Sequence, residues 1–450
     1  MKRLFGTDGI RGEANIFPMT PEIALQVGRA IGYVFKNSSY HVNKVLIGKD
    51  TRLSGYLFES ALTAGLCSMG ASVYLIGPLP TPGIAFLTRD MRADAGIVIS
   101  ASHNPYFDNG IKIFDSQGFK LSDELEEKIE KLIFDETFKE VRAFKKDIGR
   151  TYRIKDALGR YAVHLKGVVP PHLNFEGLKV GIDCAHGACY QIGPMILEEL
   201  GAQVFSTGCQ PNGLNINDNC GALYPENIKE ILLNKGLDIA IALDGDGDRI
   251  VVLDDKGTLW DGDDLLALFC HYLKKRALLK SPFIVGTVMT NKGLELFLEK
   301  EGLTLLRTSV GDRYVVQQMR MKNALIGGET SGHIIFLDKS TTGDGLLCAL
   351  RLISILVEEQ KKLSEYYPLF EKLPQVLINI KTKEKKPLEA IPGLSAKLKL
   401  IEEKLGNKGR VLVRPSGTEP KYRVMVEAQD FSLAQTIAEE IADYLRRHLT

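Results

Sequence analysis

The sequence predicts an α/β protein made of three related strand–helix units and a smaller α+β unit at the C-terminal end. Three observations carry this. Apolar, β-branched runs of four or five residues, each followed by a helix-length segment, recur along the first three quarters of the chain. The recurrence can be aligned within the chain as a repeat. After Pro374 the pattern changes.

Each repeat opens on a short buried strand: Lys44-Val-Leu-Ile-Gly48, Lys179-Val-Gly-Ile-Asp183 and Phe283-Ile-Val-Gly-Thr287. The helix that follows ends in Met69-Gly-Ala, Leu200-Gly-Ala or Glu301-Gly-Leu, where glycine suits the left-handed residue that closes a helix. A second strand then begins. A further apolar strand comes later, Gly96-Ile-Val-Ile-Ser100, Ile239-Ala-Ile-Ala-Leu243 or Ala324-Leu-Ile-Gly327. Each of these runs directly into a polar loop: Ala101-Ser-His-Asn-Pro105, Asp244-Gly-Asp-Gly-Asp-Arg249 and Gly328-Glu-Thr-Ser-Gly-His333. Open α/β sheets bind ligands at the carboxyl ends of their strands, so three such loops are expected to wall one site. In the last unit, strands near 376–382, 410–414 and 422–428 bracket helices near 394–405 and 432–447. Its polar loop is Arg414-Pro-Ser-Gly-Thr-Glu-Pro420. Boundaries are expected near 152, 254 and 368, giving units 1–152, 153–254, 255–368 and 369–450.

At 450 residues the chain can bury several cores. Lys+Arg 57 against Asp+Glu 56 leaves a net +1, without the basic excess that drives nucleic-acid or anionic-membrane binding. A small-molecule partner is expected, with no nucleic acid and no membrane. Seven irregularly spaced cysteines read as reduced core thiols of a cytoplasmic protein. The start, MKRLFGTDGIRG, has no apolar stretch of signal-peptide length, and the most apolar helix, Gly345 to Val357, is too short for a span.

The loops carry the chemistry. Asp244, Asp246 and Asp248 alternate with glycines, so an extended loop can turn all three carboxylates to one side, a set of hard oxygens suited to Mg²⁺. An EF-hand would need glycine where Arg249 stands and a helix where Ile250-Val-Val-Leu253 reads as strand. A phosphatase with an aspartate nucleophile remains a rival, although the third Asp and the other loops count against it. Ser100 and Ser102 sit at a strand end without a Gly-x-Ser-x-Gly elbow; a phosphoserine beside Mg²⁺ would need no base, and nearby Lys112 could stabilise the transferring charge. Glu329, Ser331 and His333 offer an acceptor, a hydroxyl and an imidazole to a polyhydroxylated ligand. Arg414, Ser416, Gly417, Thr418 and Arg423 are the ingredients of a phosphate cradle. Cys184-Ala-His186-Gly-Ala-Cys189 lacks the second ligand pair of a zinc site and reads as a strand end and loop.

These four loops in this order, with Phe5-Gly-Thr-Asp-Gly-Ile-Arg-Gly12 at the start, resemble the α-D-phosphohexomutase superfamily over essentially the whole chain. The forms FGTDGIRG, ISASHNP and RPSGTEPKYR are most similar to the branch that interconverts glucosamine 6-phosphate and glucosamine 1-phosphate, a supplier of UDP-N-acetylglucosamine for cell-wall synthesis. The resemblance implies four domains around a central cleft: three doubly wound α/β domains and a C-terminal α+β domain with a TBP-like sheet. It implies that Ser102, not Ser100, is the phosphoserine, and that Mg²⁺ is held by the Ser102 phosphate with Asp244, Asp246 and Asp248. Arg11 and Lys112 match basic residues near the transferring group, and Lys112 and His333 are the candidates for proton transfer. His103, Arg249, Glu329 and Ser331 match substrate contacts; Arg414, Ser416, Gly417, Thr418 and Arg423 match the distal phosphate site. Thr330 departs from the Gln or Met common in relatives. A glucose or glucosamine 1,6-bisphosphate activator, a homodimer, and a C-terminal domain closing about Tyr367-Pro368 to Pro374 are further expectations.

Overall fold

The protein is described from a computed structural model, which covers residues 4–6, 8–36, 43–382, 386–415 and 421–449. The internal repeat is a repeat of sheet topology. In each of the first three units a central strand is flanked by two parallel neighbours, and a fourth strand returns antiparallel beyond the second neighbour. The central strands are Lys44–Lys49, Lys179–Asp183 and Phe283–Thr287, and the antiparallel returns are Asp108–Asp115, Ile250–Asp254 and Ile334–Phe336. The predicted polar loops are the hairpins joining Ala95–Ile99, Ile239–Leu243 and Ile326–Gly328 to those returns. The third of these strands begins two residues later than its apolar run, because Ala324 and Leu325 lie before the ladder.

The helices end where their glycines predict. Met69, Leu200 and Glu301 are C-caps, and the following Gly70, Gly201 and Gly302 have φ of +91°, +97° and +70°. Edge strands extend two sheets past the expected boundaries. Thr151–Arg153 pairs with the first sheet, and Leu259–Trp260 with the second. The fourth unit is a three-stranded antiparallel sheet in the order Gln375–Lys381, Lys421–Glu427, Arg410–Pro415, covered by the helices Leu394–Leu405 and Phe431–Leu449.

One large apolar core joins one face of each of the three α/β sheets, through residues such as Leu46, Tyr161, Ile241, Leu266 and Leu350. The opposite faces have cores of their own. The apolar stretch predicted from Gly345 is the helix Gly345–Glu359, buried in the shared core. No helix of the described residues is long and apolar enough to cross a membrane. All seven cysteines are free, and five are buried; Cys67 and Cys209 are only partly so, each packed against the outside of a core.

The C-terminal core is separate, and that unit meets the third through a polar seam. Arg410 donates to the carbonyls of Val288 and Thr290 at 2.8 Å each, the Lys292 amide donates to Glu427 at 2.9 Å, and Asn291 exchanges two hydrogen bonds with Leu373.

Candidate active site

The first loop is built to aim one serine. The strand Ala95–Ile99 is buried along its length and delivers Ser100 fully enclosed. The Ser100 hydroxyl donates to Asp50 at 2.6 Å and accepts from the Ser102 amide at 2.9 Å, so its bonding is used up inside the loop. Ser102 takes a left-handed conformation, φ +53°, which is strained for a side chain and needs a surrounding frame. Arg52 supplies it. Fully buried, Arg52 pairs with Asp50 at 2.8 Å and donates to the carbonyls of Ser102 and Asn104 at 2.8 Å, Asp108 at 3.0 Å, and Pro105. From the second unit, Asn217 donates to the same Ser102 and Asn104 carbonyls at 2.9 and 3.0 Å. Held from both sides, Ser102 sends its hydroxyl to Asp244 Oδ2 at 2.6 Å.

The aspartate loop follows the buried strand Ile239–Leu243. Gly247 has φ +70°, and a Cβ there would lie 2.4 Å from Cys189 Sγ, so only glycine fits between the carboxylates. Asp244, Asp246 and Asp248 are all buried and bring carboxylate oxygens within 4.8 Å of one another. Asp246 Oδ2 accepts from Lys112 at 2.7 Å and Thr81 at 2.6 Å. Asp246 Oδ1 and Asp248 Oδ1 are buried without a hydrogen-bond partner. Burial, reinforced by the other two carboxylates, pushes Asp244 well above the usual carboxylate range. Burial acts the same way on Asp246, but the Lys112 ammonium outweighs it and holds Asp246 below that range. Lys112 itself is raised, since Asp246, Asp8 and Asp248 overcome its desolvation. Two unpartnered buried oxygens in a cluster of hard ligands fit a small divalent cation.

Arg11 and Lys112 come from the strands Ile10–Glu13 and Asp108–Asp115, paired antiparallel with Arg11 opposite Gly110. Asp8 receives both, Lys112 at 3.3 Å and Arg11 by a short pair. Gly9 makes that approach possible: its φ is +79°, and a Cβ would stand 2.2 Å from the Ile111 carbonyl. His103 lies 3.4 Å from the Ser102 hydroxyl, and burial, with Arg249 and Arg11 nearby, holds it down at about 4. The Arg249 amide donates to Asp244 at 3.1 Å.

The third loop presents its residues differently. Glu329 accepts from the Gly311 amide at 3.0 Å, and Ser331 is exposed. Thr330 turns away from them, its hydroxyl 3.1 Å from Asp263, a carboxylate that burial and Asp261 raise to about 7. His333 is buried, 3.8 Å from Asp248 and 3.5 Å from Asp312, and neither ring nitrogen has a hydrogen-bond partner. In the fourth unit Arg414 and Arg423 stand opposite each other on adjacent strands. Burial, with Arg423 beside it, lowers Arg414, and among the described residues neither arginine has an acidic partner. Ser416, Gly417 and Thr418 lie outside the described residues.

Thus the structure gathers Ser102, His103, Arg11, Lys112, the three aspartates, Arg249 and His333 in one cluster drawn from three units. Arg414 and Arg423 make no described contact with that cluster. Sequence reasoning missed the frame: Asp50, Arg52 and Asn217 around Ser102, and Asp8, Lys120 and Asp312 around Lys112 and His333. A usable signal was Asp50-Thr-Arg52, polar residues directly after a buried strand.

Comparison with known proteins covers nearly the whole chain. Residues 2–140, 160–257 and 261–373 match the phosphoglucomutase/phosphomannomutase alpha/beta/alpha domains I, II and III, and residues 377–444 the C-terminal domain. A phosphoglucosamine mutase of Pelobacter propionicus is 52% identical over 449 residues, covering 100% of this chain and 99% of the relative. Among solved structures, a phosphoglucomutase/phosphomannomutase family protein from Burkholderia thailandensis superposes with a TM-score of 0.83 at 24% identity, covering 99% of this chain and 97% of that one. Aspergillus fumigatus N-acetylphosphoglucosamine mutase, in complex with GlcNAc-6P and magnesium, gives 0.68 at 20% identity, covering 99% and 96%. Both structural likenesses concern the fold.

Proposed function

The chain belongs to the phosphoglucomutase/phosphomannomutase family, and on that premise we propose that it interconverts glucosamine 6-phosphate and glucosamine 1-phosphate, an isomerisation carried by intramolecular phosphotransfer. The observation that carries the chemistry is the Ser102 hydroxyl of the first unit, 2.6 Å from Asp244 of the second and beside two unpartnered carboxylate oxygens.

In this reading Ser102 carries a phosphoryl group. The P–O bond to serine breaks as a new P–O bond forms to the free oxygen of the bound sugar phosphate, giving a 1,6-bisphosphate. The sugar hydroxyl loses its proton and the departing serine oxygen regains one, and these transfers are assigned to Lys112 and His333. The bisphosphate then reorients and returns its other phosphate to Ser102. Asp244, Asp246 and Asp248, with the Ser102 phosphate, would hold Mg²⁺, which supplies charge neutralisation at the transferring group. Arg11 and Arg249 add fixed positive charge there, and His103 lies beside the serine. Glu329 and Ser331 are assigned to the sugar ring, and Arg414 and Arg423, with Ser416, Gly417 and Thr418, to the second phosphate. Two anion positions are what a molecule that presents each phosphate in turn requires.

Thr330 is committed to Asp263, so ring selectivity is assigned to Glu329 and Ser331. A carboxylate near the ammonium of glucosamine contributes about 1.5–3 kcal/mol, or about ten- to a hundredfold in discrimination. A cytoplasmic protein, a homodimer, activation by glucose or glucosamine 1,6-bisphosphate, and divisions near 152, 254 and 368 belong to the same reading. The test is a single assay in which glucosamine, glucose and mannose 1-phosphates compete. The amino sugar should lead in kcat/KM by about tenfold or more. A lead for glucose or mannose phosphate would replace this assignment with a phosphoglucomutase or phosphomannomutase.

A further inference from the structure

Six side chains, all largely buried except the partly exposed Asp8, close a ring beside the site, and three of them, Asp8, Lys120 and Asp312, have no part in the mechanism above. Asp248 lies 3.4 Å from Lys112, and Lys112 lies 3.3 Å from Asp8. Asp8 also pairs with Lys120, through its other oxygen. Lys120 lies 2.7 Å from Asp312, Asp312 is 3.5 Å from His333, and His333 is 3.8 Å from Asp248. Carboxylates alternate with basic groups all the way round. The first unit contributes Asp8, Lys112 and Lys120, the second Asp248, and the third Asp312 and His333.

The ring bears on the two groups assigned to proton transfer. His333 has no hydrogen-bond partner on either nitrogen, and its Nε2 edge is the one that meets Asp312, Asp248 and the backbone at Gly343. A Cβ on Gly343 would lie 2.6 Å from the imidazole. Lys112 shares Asp8 with Lys120 and Arg11: Oδ1 serves Lys120, and Oδ2 serves Lys112 and Arg11. Asp312 is fixed in turn by Lys120, by its neighbour's amide at 2.9 Å and by Thr342 at 3.4 Å. A displacement at Lys120 or Asp312 would therefore reach both Lys112 and His333.

We propose that Lys120 and Asp312 are positioning residues of the phosphoryl transfer, holding Lys112 and His333 in register with the aspartate loop across the seam between the first and third units. This rests on the reading that the chain is a phosphoserine mutase. Removing one member of a buried pair leaves an uncompensated charge, whereas replacing both by apolar groups of similar size keeps the fold. The informative variant is therefore the double replacement Lys120→Met with Asp312→Leu, measured beside Asp312→Asn, Lys120→Arg and Arg313→Gln. Arg313 crosses the same seam to Asp123 and Glu126 without entering the ring.

The double variant and Asp312→Asn should lose about ten- to a hundredfold in kcat with KM nearly unchanged, the size of effect seen when the support of a reacting group is removed. Lys120→Arg should recover most of the rate. Arg313→Gln should lower the melting temperature and keep kcat. Wild-type kcat in the double variant, or in Asp312→Asn where the double variant does not fold, would overturn the proposal. An equal loss of kcat in Arg313→Gln would also overturn it, because the seam alone would then be responsible. Absence of turnover in the unaltered chain would remove the underlying reading, a result distinct from either.

Discussion

At the residue scale, two serines two positions apart have opposite fates. Ser100 spends its hydroxyl on Asp50 and the Ser102 amide, while Ser102 is turned into the left-handed region and faces Asp244. Ser102→Ala should abolish turnover and leave the melting temperature nearly unchanged. Peptide mass spectrometry should find phosphate on Ser102 and none on Ser100, and phosphate at Ser100 alone would reverse the assignment. Asp246→Asn should weaken Mg²⁺ affinity, read by titration of the metal against turnover after EDTA treatment; undiminished turnover without metal would count against the cluster as a cation site. The preference for Ser102 over Ser100 came from resemblance, since both stand at the strand end and the chain alone does not say which hydroxyl is already bonded. Arg52 shows the same limit: its acceptors at 102, 104, 105 and 108 are about fifty positions away, and no local pattern connects them. Arg52→Met leaves Asp50 buried without its cation and should cost about 3–5 kcal/mol in urea unfolding.

At the element scale, strands and their loops were legible because a buried strand must be apolar on both faces and must stop abruptly where it meets the cleft. That is why Ile239–Leu243 and the loop after it could be located to the residue. What a single residue does at the end of such an element was less visible. Helix Gly345–Glu359 begins at Asp344, whose carboxylate caps the Leu347 amide at 2.9 Å and accepts from Tyr161 at 2.8 Å. Burial raises Asp344 to about 6, so the folded state binds a proton more tightly than the unfolded chain does. Its contribution is fully present below about pH 4, the ordinary Asp value, and is lost as pH rises through about 6. Asparagine preserves the cap without titrating. Asp344→Asn should therefore flatten the dependence of melting temperature on pH between about 4 and 7, and gain on the parent at the upper end. A parallel shift at every pH would show that this carboxylate does not titrate on folding.

At the scale of the whole molecule, three sheets share one core while the fourth unit keeps its own and touches the third through hydrogen bonds between side chains and backbone. Such a seam is easier to re-form than an apolar one, so the C-terminal unit is the part expected to move over a ligand. Solution scattering should show compaction with saturating glucose 1,6-bisphosphate, and unchanged profiles would remove the moving lid. The three-walled site could be foreseen because the repeat puts three loops at equivalent places; the charged ring could not, since Asp8, Lys120 and Asp312 are joined only by the folded chain. The central claim is that a phosphoryl group passes from Ser102 to the sugar and back, and the most direct measurement is a single turnover with enzyme radiolabelled at Ser102. Mixed with glucosamine 6-phosphate, the label should move to sugar bisphosphate and monophosphate with little inorganic phosphate, and Ser102→Ala should take up none. Label that stays on the protein while product forms, or that leaves mainly as inorganic phosphate, would contradict the account.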